Sequence, residues 1–139
     1  MTTPAVKVAR EVAEADFARM CGPFRVELDA DHLNEEERIE NMETREKLVR
    51  LIMRGILVIG DDGNPTYTPP GRASGFTFYP VKATALIALE TYAQTKPISN
   101  MCCCMADMTR VDRTEFHRLD LIDFHALSNL AKLFLADRV

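Results

Sequence analysis

The chain reads as an α+β fold, mainly α, with helices packed around a small antiparallel β-hairpin or meander. Three observations predict it. Apolar residues recur at helical spacing over most of the length. One segment, ILVIGDDGNPTYTPP (56–70), instead sets two β-rich runs on either side of an Asp-Gly turn. And 139 residues, 47% hydrophobic and 27% charged, amount to one domain (1–139) that can bury a core without metal or disulfide staples. Within it, residues 1–50 form an N-terminal helical region, and residues 51–139 hold the hairpin and further helices.

Composition also excludes some functions. A net charge of −4 offers no basic face for phosphates and argues against a nucleic-acid partner. No run approaches the ~18 apolar residues of a transmembrane helix, so no membrane partner is expected. Lys7, Arg10, Glu11 and Glu14 interrupt the N-terminal segment, which therefore lacks the apolar stretch of a signal peptide. The expected location is the cytoplasm, where thiols stay reduced.

Taken in order, residues 4–20 predict a short amphipathic helix through Ala5, Val8, Ala9, Val12 and Phe17, ended by Gly22-Pro23. FRVELDAD (24–31) alternates apolar and polar residues and is compatible with an extended segment. Asn34, with Glu37 three residues on, is a capping box. It opens a helix that stops at Gly55, with Ile39, Met42, Val49, Met53 and Ile56 along one side. Glu43–Lys47 and Glu46–Arg50 have the favourable i,i+4 order. Strands follow near 56–60 and 65–69, joined by GDDGNP, and FTFY (76–79) gives a third. Pro80 leads into a helix at 81–93, with Ala85, Leu86, Leu89, Tyr92 and Ala93 on one face. Pro97 suits the first turn of the next helix, which ends near Met108. Asp112 and Glu115 form a second capping box, before a turn of helix through His117. Asp120 precedes the last helix, striped by Phe124, Leu127, Leu130, Ala131 and Phe134.

Three groups invite a chemical reading. Cys102, Cys103 and Cys104 stand side by side in MCCCMADMTR. Helical neighbours lie ~100° apart, so three in a row cannot converge on one ion, and neither paired zinc spacing nor C-x-x-C is present. Ile98, Met101, Cys102, Met105 and Met108 instead trace one stripe, which points to packing by small and soft side chains. On that wheel Cys102 lies on the stripe, Cys104 at its margin and Cys103 opposite, towards solvent. His117 and His125 have no nucleophile pattern nearby. GDDGNP lacks the spacing and terminal glutamate of a calcium loop and is explained by a hairpin turn. No catalytic, cofactor or metal site is expected.

From residue 50 onward the order of elements resembles the small bacteriophage tail assembly chaperones. RLIMRGILVIGDDGNPTYTPP supplies the hairpin and GFTFYPVKATALIALETY the strand, proline and helix. In MADMTRVDRTEFHRLDLIDFHALSNLAKLFL, Met105, Met108-Thr109, Leu119-Asp120 and the stripe Phe124 to Phe134 complete the pattern. Residues 1–50 have no counterpart. The resemblance implies a non-enzymatic phage or prophage protein without a cofactor. Its client would be the hydrophobic, helical tail tape measure protein, with the tail tube protein as a further partner. Phe124, Leu127, Leu130 and Phe134 are then one candidate client surface, ordinary core being the other reading of the same stripe. A structural virion component (a tail-completion or connector protein) and, less favoured, a cytosolic thiol or metal module are the alternatives.

Overall fold

The computed structural model describes residues 7–135. They form α1 (Arg10–Phe24), α2 (Glu35–Met53), β1 (Leu57–Ile59), β2 (Pro65–Tyr67), β3 (Phe76–Thr77), α3 (Ala83–Ala88), α4 (Pro97–Thr109), α5 (Thr114–His117) and α6 (Leu121–Leu135). The fold is α+β and mainly helical, around one three-stranded antiparallel sheet of order β1-β2-β3.

The helix α1 begins later than its periodicity suggests and runs through Gly22-Pro23 to Phe24. Residues 1–6, including Ala5, lie outside the described residues. Pro23 has no N–H to donate to Arg19 O, but in the last turn it gives up only that one intrahelical bond before the helix ends. Arg25 takes the left-handed conformation (φ 54°). Arg25 N–H then donates to Gly22 O and Val26 N–H to Cys21 O, which is a Schellman closure. That closure turns the chain at once. FRVELDAD is therefore no strand: with no neighbouring edge to pair with, it makes turns between α1 and α2, and Val26 and Leu28 pack against the core.

Asn34 caps α2 as its sequence requires, its Oδ1 accepting from Glu37 N–H at 2.8 Å. The buried face of α2 is Leu48, Val49 and Ile52, whereas Ile39 and Met42 are each 53% exposed. So only the C-terminal half of the expected stripe faces inward. α1 and α2 run in opposite directions: Val8 N–H donates to Met53 O, and Arg10 and Glu14 meet Glu46 and Arg45. Arg10 grips Glu46 with both Nη atoms, at 3.0 and 2.6 Å, and Arg50 adds the expected i,i+4 bond at 3.1 Å.

The Arg10 guanidinium is the main reason that Glu46 titrates low, at about 2. A depressed carboxylate pKa favours folding above its unfolded value of about 4.3 and ceases to do so as pH falls towards 2. The pair is well exposed, so its effect on stability is small. Carbon-detected NMR should place the Glu46 midpoint near 2, and Arg10→Ala should move it up towards the ordinary range. A midpoint already in that range in the intact protein would mean that the pair does not persist in solution.

The hairpin forms at the expected place, with Leu57 opposite Tyr67, Val58 opposite Thr66 and Ile59 opposite Pro65. Its tip is a five-residue loop in which Gly60 N–H donates to Asn64 O. Gly63 alone takes the positive φ (87°), while Asp62 accepts from Asn64 N–H. Arg19 of α1 clasps this end through the carbonyls of Gly60 and Ile59. β3 pairs with β2, and Thr66 and Thr77 share a hydroxyl hydrogen bond across it.

The helix expected at 81–93 is cut short at Ala88. Asn100 of α4, buried, accepts from Tyr92 N–H at 2.7 Å and donates to the carbonyls of Tyr92 and Ala93. It takes up the backbone groups that a continuing helix would need, and the chain there turns instead. The capping box expected at α5 does not form, because the N-cap is Arg113 and Asp112 lies one residue before it. Asp112 accepts from Thr114 N–H, but Glu115 reaches away to Arg72 at 2.7 Å.

One hydrophobic cluster joins these elements, from Phe17 and Met20 through Leu57, Tyr67 and Phe78 to Met105, Leu127 and Phe134. No helix among the described residues is long and apolar enough to cross a membrane.

Candidate functional site

The three neighbouring cysteines belong to the middle of α4, which is covered on both sides. α6 lies against one face, and α3 with the turn at Tyr92 lies against the other. Cys102, Cys103 and Cys104 are therefore all buried, at 3%, 9% and 0% exposure. The helical wheel errs here in two ways. Its reference residue, Ile98, is 67% exposed. The face expected to be open is roofed instead, with Arg113 Nη1 lying 3.9 Å from Cys103 Sγ and bonded to the Tyr92 hydroxyl.

Burial pushes the Cys104 thiol up to about 12 and raises that of Cys102 as well. Thiolate is thus scarce where access is poorest. Alkylation of the native protein, followed by mass spectrometry, should label Cys103 first of the three, then Cys102, with Cys104 last. Arg113→Ala should speed Cys103 selectively. Equal rates at all three would show that this part of α4 opens as a unit. Cys21, half-buried on α1, titrates at about 11, again through burial. Among the described residues, no three His, Cys, Asp or Glu side chains are grouped so as to hold a metal ion.

The predicted client stripe divides. Leu127, Leu130 and Phe134 are core residues, 0–1% exposed, and offer no surface in this conformation. The reason is that α6 packs against α4 and α2 at once, so its main stripe is needed inside. Phe124 alone of the four reaches a surface. It lines a groove of about 490 Å³ together with Met101, Phe116, Leu119 and Leu121. Ile98 and Leu121, 67% and 69% exposed, stand in this groove as apolar groups without cover. His117, His125 and Lys132 also line it, and no carboxylate does.

Ser128, a further lining residue, is buried, and its hydroxyl has no hydrogen-bond partner. An unsatisfied buried hydroxyl costs about 1–3 kcal/mol, so a polar atom entering the groove would relieve a defect already present. Neither His117 nor His125 makes a hydrogen bond among the described residues, so neither has the oriented partner that a general base needs. What the arrangement can do is bind an apolar shape.

A second surface lies beyond His125, where Ile122, 82% exposed, rises from a shallow groove with Lys47, Leu51 and Arg54 of α2. The groove residues on α6 escape a search for a single stripe because they fall between its turns. The signal available was excess: Leu121, Ile122 and Phe124 make LIDFHALSNLAKLFL more apolar than one buried face requires.

Compared with protein-family models, curated proteins and solved structures, the chain matches none.

Proposed function

We propose that the protein is a tail assembly chaperone of a bacteriophage or prophage. In this reading it is not an enzyme. It holds the hydrophobic, helical tail tape measure protein in the host cytoplasm until tail tube subunits polymerise around it. The observation that carries the reading is the uncovered apolar groove between α4 and α6, where Ile98 and Leu121 face outward and half-buried Phe124 lines the wall. A volume of about 490 Å³ accommodates the anchor side chains of an amphipathic helix, which places its apolar face in such grooves at i, i+3 or i+4 spacing. The order of hairpin, strand-proline-helix and striped C-terminal helix adds to it.

Co-expression with its cognate tape measure protein should move that protein from the insoluble to the soluble fraction. Leu121→Asp and Ile98→Asp change exposed residues and spare the fold, yet should each abolish most of the rescue. The chaperone should also be absent or strongly depleted in purified particles. Unchanged solubility of the tape measure protein would sink the proposal. Recovery of the protein in stoichiometric amounts in particles would favour the virion-component alternative.

A further inference from the structure

Two apolar patches outside the α4–α6 groove are opposite in charge. On the N-terminal half of α2, Ile39 and Met42 are each 53% exposed and bordered by Glu35, Glu43 and Glu46, and by one cation, Arg38, which is already paired with Asp29. At the other end of α2, Ile122 of α6 is 82% exposed in a groove of about 400 Å³, bordered by Lys47, Arg50 and Arg54 with no carboxylate among its lining residues. Arg50 and Glu46 bond to each other, and Glu46 also to Arg10. Glu35, Glu43, Lys47 and Arg54 have no ion-pair partner among the described residues. A net charge of −4 opposes indiscriminate association, but its distribution creates one acidic ridge and one basic groove on the same chain.

We propose that these two surfaces are partners: the acidic ridge of α2 in one copy docks into the basic groove at Ile122 of a second copy. The ridge is itself an amphipathic helix with apolar anchors at i, i+3, the form that enters an apolar groove. Complementary charge sets the orientation and suppresses ridge-to-ridge and groove-to-groove pairing. In the proposed contact one ridge enters one groove, head-to-tail. Each copy keeps one of each free, and repetition builds a ring or an open array rather than a closed two-fold dimer. His125 borders both this groove and the α4–α6 groove, and the inference goes beyond the proposed function without depending on it.

Sedimentation of the full-length protein should show a mass that rises with concentration. Met42→Lys puts a cation on the ridge, and Ile122→Asp puts a carboxylate in the groove. Each should weaken self-association at least tenfold and leave a monomer. Met42→Lys still carries an intact groove and Ile122→Asp an intact ridge, so mixing the two monomers should yield a 1:1 heterodimer that grows no further. A misfolded variant could not complement in this way. A wild-type protein monomeric at all concentrations, single variants that associate as the wild type does, or a mixture that stays monomeric would each overturn the proposal. Loss of tape-measure rescue in Ile122→Asp, with a monomeric wild type, would assign the groove to the client instead. The chaperone reading is tested on Ile98 and Leu121, and the two can fail separately.

Discussion

Phe134→Ala should lower the unfolding free energy by about 3–5 kcal/mol, a large share of the roughly 5–15 kcal/mol available to a domain. Phe134 stacks on Phe24 with ring centroids 4.0 Å apart and meets Phe78 edge-on at 5.8 Å. All three rings are at most 1% exposed. One side chain thus ties the end of α1, the segment after β3 and α6 together, and its removal opens a void that three separate elements would have to close. Partial collapse onto such a void is hard in a close-packed interior. Urea denaturation followed by circular dichroism measures the loss, and Phe134→Leu should cost less because it refills most of the space. Leu121→Asp, at an exposed position on the same helix, should stay within about 0.5 kcal/mol of wild type. A loss below about 1 kcal/mol for Phe134→Ala would mean that the three rings do not form one packed unit. The contrast also separates core from proposed client surface: Phe134 variants should lose any tape-measure rescue only by losing the fold.

The features that sequence reasoning located well are those set by local chemistry. Asn34 and Glu37 placed the start of α2, Pro97 the start of α4, and the runs around Asp62-Gly63 the hairpin. What escaped it depends on partners distant in sequence. Asn100 ends the helical run before it by seizing the backbone at Tyr92, and no local pattern at 81–93 announces that. FRVELDAD alternates like a strand yet has no edge to join. A helical wheel assumes one wet side, so it could not show that α4 is enclosed on both faces and that Cys103 lies under Arg113. The candidate site suffered from the same assumption. The strongest stripe, Leu127 to Phe134, went to the core because the core needs the most regular face. On α6 the surface was left to residues off that phase, Leu121 and Ile122, joined by Ile98 from the start of α4.

Tyr67→Phe should cost about 1.5–3 kcal/mol, the worth of a hydrogen bond to a charged group. The Tyr67 hydroxyl donates to Asp123 Oδ1 at 2.6 Å, with both residues buried, and the bond joins β2 to the first turn of α6. Asp123 sits where the helix dipole favours a negative charge, but its carboxylate is nearly out of water and relies on the phenol as a donor. Asp123→Ala has the complementary fault, leaving a buried hydroxyl with no acceptor. The double variant Tyr67→Phe/Asp123→Ala removes both polar groups, so it should lose less than the sum of the single losses, with a coupling of about 0.5–3 kcal/mol. Asp123→Asn keeps an acceptor and should lie between wild type and Asp123→Ala. The pH dependence has a definite sign. Burial, and then Asp123, raise the Tyr67 pKa above its ordinary value of about 10. A raised folded-state pKa gives stability that is fully present below the unfolded value and is lost as pH rises through the folded one. The wild type should therefore weaken in alkali above about pH 10 by more than Tyr67→Phe does, and the late-ionising part of a spectrophotometric titration should vanish in Tyr67→Phe. Additive single losses together with an unchanged alkaline limb would show that water reaches Asp123 and that this bond does not anchor α6 to the sheet.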